Sequence, residues 1–183
     1  MAKSGKRRLA SVLDPASSEV VAQLKRRRGG PELLAYKRGR AWVDVRSEDI
    51  NDYIKEQTGG DFTAKDFRTW SATVLAAVAM ASSFPQARSR TARTRAISRA
   101  VKEVAHYMGN TPAVCRASYI DPRIFDRYRS GLTVAAALTR LGEVGELGEP
   151  AHQGAIEEAV LDLIEDKHGP ALALGPTIAQ RAG

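Results

Sequence analysis

One cysteine, Cys115, carries all the thiol chemistry of the chain. Alone it closes no internal disulfide and builds no metal centre without histidine and carboxylate help, so a disulfide scaffold and a thiolate metal site drop out and a reducing compartment fits. No apolar run approaches the roughly 18 residues that cross a bilayer. The opening stretch MAKSGKRRLASVL is basic but lacks the sustained apolar segment of a secretory leader, so a cytoplasmic protein is expected. Lys3-Ser4-Gly5-Lys6 is only half a phosphate loop, missing the leading glycine and a preceding strand. GxGxxG, His/Cys metal spacing, internal repeats and low-complexity tracts are all absent, and neither cofactor nor metal is expected.

What is present is a 183-residue chain of 43% hydrophobic content, enough for one domain with a real core. The net charge of +7 is unevenly spread: residues 1–140 hold 26 Lys and Arg against 13 Asp and Glu, and residues 141–183 hold 2 against 8. By charge, the first three quarters binds a polyanion and the tail does not. The organisation expected is a basic body over 1–140, a Gly/Glu linker over 141–154, and an acidic helix and tail over 155–183.

The element pattern is mainly helical. SSEVVAQLKRRR (17–28) reads as a capped helix ending in cations before Gly29-Gly30. ELLAYKRGRAWVDV reads as a β-hairpin or bent strand turning at Lys37 to Gly39. Ser47-Glu48-Asp49 caps a helix that stops at Gly59-Gly60, and Phe62 to Ser82 suits a helix buried on most sides. Pro85 opens another helix to Met108, with Arg88, Arg95, Arg99 and Lys102 recurring on one face, Arg90 and Arg93 widening the stripe, and Ile97, Val101, Val104 and Ala105 on the other. Gly109-Asn110 stops it, and Thr111-Pro112 starts the next. PRIFDRYRSG, LTVAAALTRLG and AIEEAVLDLIEDKHG supply the remaining amphipathic helical segments.

Two strings carry possible chemistry: TAKDFRTW (63–70), holding Arg68, and GNTPAVCRASYIDP (109–122), holding Asn110 and Tyr119. Attack on a phosphodiester gathers negative charge on the non-bridging oxygens, and arginine meets it with a planar, permanently charged fork. Tyrosine, with an ordinary pKa of about 10, needs cationic neighbours or a proton acceptor to act as nucleophile. Each residue has a bland account as well. Tyr119 is one of five tyrosines and fits a half-buried core position, Arg68 fits a solvated face, Asn110 fits a helix stop, and Cys115 fits a small buried hydrophobe.

Taken together, TAKDFRTW and GNTPAVCRASYIDP resemble the C-terminal catalytic domain of the type IB DNA topoisomerases, in the poxvirus-like bacterial branch, over about Lys3 to Ala137. The resemblance implies a compact helical fold with a small β-hairpin near the N-terminus. It implies ATP-independent cleavage of one strand of duplex DNA through a 3′-phosphotyrosine, swivelling and religation, by a monomer associated with the nucleoid. It makes Tyr119 the nucleophile, Arg68 one of two arginines clamping the scissile phosphate, Asn110 a contact to a non-bridging oxygen, and Lys3 the general acid, with Lys6 as competitor. Lys65, Arg88, Arg95, Arg99 and Arg116 are the basic residues expected on DNA, through phosphates rather than bases.

In that family the other catalytic arginine lies upstream of the lysine hairpin, after an N-terminal domain that clamps DNA. The chain begins two residues before Lys3, so a fragment is expected, slowed by on the order of 10²-fold for want of one transition-state donor. Two alternatives stand beside it. A tyrosine recombinase or integrase shares the chemistry but usually shows His-x-x-Arg where this chain has Lys65-x-x-Arg68, and a non-catalytic remnant would bind duplex through phosphates without cutting.

Overall fold

The structure, a computed structural model, describes residues 14–28, 30, 32–144, 150–166 and 173–174. It is mainly helical, with eight α-helices and small antiparallel strand pairs among those residues. The chain divides into two compact units between Asp66 and Phe67.

The first unit begins with α1 (Pro15–Arg26). Its cap is Asp14, whose carboxylate accepts the Ser17 amide at 2.8 Å, with Pro15 in the first turn. The start therefore lies three residues earlier than Ser17 alone suggests. Strands β1 (Ala35–Arg38) and β2 (Ala41–Asp44) pair antiparallel in the register Ala35 with Asp44 and Arg38 with Ala41. The turn falls on Gly39-Arg40 rather than Lys37 to Gly39, because Gly39 takes the left-handed conformation at φ 62°. Helix α2 (Ser47–Thr58) starts with the Arg46 amide donating to Asp49 at 2.7 Å and ends at left-handed Gly59. Thr63 and Asp66 form a comparable box at the start of α3 (Ala64–Ser83), with the Thr63 amide and hydroxyl donating to the carboxylate at 2.8 and 2.6 Å.

One arginine organises the unit's interior. Arg27, whose side chain is 4% exposed, donates to the Glu32 carbonyl, pairs with Asp44 at 3.3 Å and lies over the Trp42 ring at 5.6 Å. Gly30, at φ 85°, passes so close that a Cβ there would stand 2.5 Å from Arg27 Nη1.

In the second unit α3 continues as one wall. Its buried positions are Ala72, Thr73, Ala76, Ala77, Met80 and Ala81, whereas Phe67 and Leu75 are exposed, so it buries one face rather than most sides. Pro85 does not open a long helix. It sits in a 3₁₀ turn (Phe84–Gln86), and α4 (Arg90–Met108) starts afresh where Ser89 caps the Ala92 amide at 3.1 Å.

Short helices α5 (Pro112–Ser118) and α6 (Arg123–Arg129) follow. Strand β3 (Leu132–Thr133) pairs with β4 (Ala173–Leu174), and α7 (Ala135–Val144) and α8 (Pro150–Glu165) complete the unit. Helix therefore enters the span 141–154 from both sides. The acidic α8 sends Ala159, Val160, Leu163 and Ile164 into the same core as Ile124, Phe125 and Tyr128. Many of the core positions on α3 and α4 are alanine, which lets helices approach closely; the bulk comes from Met80, Ile97, Ile124 and Tyr128, each under 3% exposed.

Candidate active site

Three elements of the second unit converge on one place. Helix α3 presents Arg68 one turn after its capped start. Helix α4 ends at Gly109, whose left-handed backbone, at φ 69°, lets the Asn110 amide turn back to the Ala105 carbonyl at 2.9 Å. Thr111 then caps α5, accepting from the Val114 amide at 3.3 Å with Pro112 in the first turn, and Tyr119 closes that helix by donating its amide to Cys115 at 3.0 Å. The helix-stop account of Gly109-Asn110-Thr111 is therefore correct locally, and the same stop sets Asn110 in position.

The guanidinium of Arg68 lies over the Tyr119 ring, 5.4 Å from its centroid, and reaches the Met108 carbonyl at 3.5 Å, two residues before Asn110. Tyr119 is partly buried and packs against the core. The Asn110 side-chain nitrogen is buried and has no hydrogen-bond partner among the described residues. A donor left so costs about 1–3 kcal/mol, which an incoming acceptor would recover. The Arg68 cation held beside the Tyr119 ring suits a bound oxyanion.

Asp121 is withdrawn from this chemistry. Arg123 chelates it through Nε at 3.0 and 3.2 Å and Nη2 at 2.7 Å, and these bonds hold its carboxyl below the usual range. Cys115 is fully buried; burial raises its thiol pKa, opposed in part by the charge of Arg68, so it stays a protonated hydrophobe. The other tyrosines are placed differently. Tyr128 is 1% exposed with its ring edge-on to Phe84, Tyr36 holds a 2.6 Å bond from Arg38, and Tyr53 and Tyr107 are each 63% exposed.

The basic residues expected on DNA do not form one stripe. Arg95 and Arg99 are exposed on α4, but Arg88 precedes that helix, in the loop after the 3₁₀ turn. Arg93 turns inward: it lies over Phe84 at 5.2 Å and donates to the Ala87 and Arg129 carbonyls at 3.3 and 2.7 Å, a structural clip rather than a free cation. Arg116 stacks on Phe125, 4.5 Å from the ring centroid, and Lys65 is exposed on the first turn of α3. Lys3 and Lys6 lie outside the described residues.

Sequence reasoning missed Thr73, 1% exposed on α3. Its hydroxyl donates to Thr69 at 2.9 Å, accepts the Asp121 amide at 3.1 Å, and lies 3.5 Å from the Tyr119 carbonyl. The available signal was a hydroxyl among the small apolar residues of SATVLAAVAMA.

Residues 14–136 match the family described as the eukaryotic DNA topoisomerase I catalytic core. The chain is also 34% identical over 91 residues to a DNA topoisomerase 1B of Acanthamoeba polyphaga mimivirus, a stretch that is 47% of this chain and 26% of the relative. The chain belongs to the topoisomerase I catalytic-core family. It spans about a quarter of the length of that viral relative.

Proposed function

We propose that this chain cleaves and reseals one strand of duplex DNA, relaxing supercoils without ATP, metal or cofactor. In this reading the Tyr119 phenolate attacks the scissile phosphorus, forming the phosphotyrosine bond to the 3′ side and expelling the 5′-oxygen, which takes a proton from Lys3. Attack by that 5′-hydroxyl reverses the step and frees Tyr119. Arg68 and Asn110 hold the non-bridging oxygens as charge builds on them. The observation that carries the reading is the Arg68 guanidinium 5.4 Å from the Tyr119 ring centroid, its Nη2 at 3.5 Å from the Met108 carbonyl two residues before Asn110.

Lys65, Arg88, Arg95, Arg99 and Arg116 contribute backbone contacts, and the protein acts as a monomer in the bacterial cytoplasm. Among the described residues no helix is long and apolar enough to cross a membrane. Arg68, over the Tyr119 ring, is the arginine supported at the scissile phosphate.

The test is a nicked suicide duplex that traps covalent complex. Adduct with wild type, none with Tyr119→Phe, and a loss of about 10²-fold with Arg68→Ala support the reading. Salt-sensitive duplex binding without adduct would reassign the chain as a non-catalytic DNA-binding protein.

A further inference from the structure

Thr73 lies one and a half turns beyond Arg68 on α3, in a stripe otherwise made of Ala72, Ala76, Ala77 and Met80. A hydroxyl has one proton to give and two lone pairs to share. Here the proton goes to the Thr69 carbonyl at 2.9 Å, within the same helix, and a lone pair takes the Asp121 amide at 3.1 Å. The Tyr119 carbonyl stands at 3.5 Å from the same oxygen. Tyr119 itself is in an irregular conformation at the end of α5, φ −129° and ψ −12°, and its amide makes the last helical bond, to the Cys115 carbonyl, so the chain beyond it is no longer held by the helical ladder. Asp121 spends its carboxylate on Arg123, so its amide is free to fasten the segment elsewhere.

We infer that Thr73 is a positioning residue: its hydroxyl pins the Tyr119–Asp121 turn to the helix that carries Arg68, setting the register between nucleophile and phosphate clamp. The inference rests on the proposed strand-cleavage reading. Without this bond the turn keeps its packing through buried Ile120 but loses the polar tie beside the tyrosine. Misplacement of a reacting group by an ångström is enough to cost about 10²-fold in rate.

The test uses Thr73→Val, which keeps the shape and removes the hydroxyl, and Thr73→Ser, which restores it. With saturating nicked duplex, Thr73→Val is expected to slow single-turnover adduct formation by about 30- to 100-fold, while its duplex affinity stays close to that of wild type and the variant stays folded at the assay temperature with a lowered thermal midpoint, the Asp121 amide having lost its partner. Thr73→Ser is expected to recover the rate to within about 3-fold. A valine variant as fast as wild type, or a serine variant as slow as valine, would overturn the inference.

Hydrogen exchange at the Asp121 amide separates this outcome from failure of the functional reading. If wild type forms no adduct, the strand-cleavage reading fails. Faster Asp121 exchange in Thr73→Val but not in Thr73→Ser would still establish the tie, and equal exchange in all three would refute it.

Discussion

The two units are stabilised by different means. Before Phe67, Ala35 is the buried apolar residue among those described, while Val20, Leu33, Leu34, Tyr53 and Phe62 are all exposed. Order there comes from caps and polar ties: Asp14 on Ser17, Asp49 on Arg46, Asp66 on Thr63, and Arg27 on Glu32, Asp44 and Trp42. After Phe67 the buried cluster is continuous from Ala72 to Ile164. Arg68, Asn110 and Tyr119 all belong to that second unit. Chemistry that depends on tenths of an ångström is placed where packing fixes side chains, and the polar-tied unit is the one expected to open first.

Core truncations probe this contrast most severely. Ile124→Ala and Val160→Ala remove side chains with no exposed surface, and urea titrations should show losses of about 2–4 kcal/mol for the isoleucine and somewhat less for the valine. Val20→Ala, 55% exposed in the first unit, should change stability by about 0.5 kcal/mol or less. Equal losses at the two kinds of position would erase the distinction.

Gly30→Ala is the next largest. A side chain at φ 85° costs roughly 1–2 kcal/mol, and its Cβ displaces the Arg27 guanidinium from Trp42. Hydrogen exchange should speed in β1 and β2 and stay unchanged in α4; a change spread over both units would contradict separate stabilisation.

Acid gives a smaller effect. The carboxyls of Asp14 and Asp66 are held below their ordinary value by bonds from Ser17 and Thr63. A depressed carboxyl stabilises the fold above its unfolded pKa of about 3.9, and that contribution disappears as pH falls through the lower folded value. Far-UV ellipticity should therefore decline below about pH 4, with Asp66→Asn flattening the part due to the start of α3. Smaller still is the effect of Arg95→Ala with Arg99→Ala on duplex binding. It should leave the fold intact and reduce the log–log salt slope by about 0.9 for each phosphate no longer neutralised.

Local rules made much of this legible. The helix from Ser47 to its stop at Gly59, Thr111-Pro112 and the helical period of α4 needed only caps, stops and spacing, although the cap of α2 is Arg46, with Asp49 closing the box, rather than Ser47. The two motif strings carried the family and drew attention to Arg68, Asn110 and Tyr119. Long-range choices were hidden: Arg93 shares the period of a basic face yet turns to the Arg129 carbonyl, 36 residues away, and Thr73 meets a turn 48 residues downstream. Pro85 misled because a proline opens a 3₁₀ turn as readily as a helix, and the true start needed Ser89 as cap. Nothing in the charge pattern of the acidic segment announced that α8 would close the core against α6 and α7.

The most direct test of the site is the identity of the tyrosine that becomes joined to DNA. Five are present, and Tyr53 and Tyr107, at 63% exposure, are more accessible than Tyr119. Trapped complex should be digested and the nucleotide-bearing peptide sequenced by mass spectrometry. The account predicts a 3′-linked nucleotide on Tyr119 alone; the same modification on Tyr36, Tyr53 or Tyr107, with Tyr119 unmodified, would contradict it.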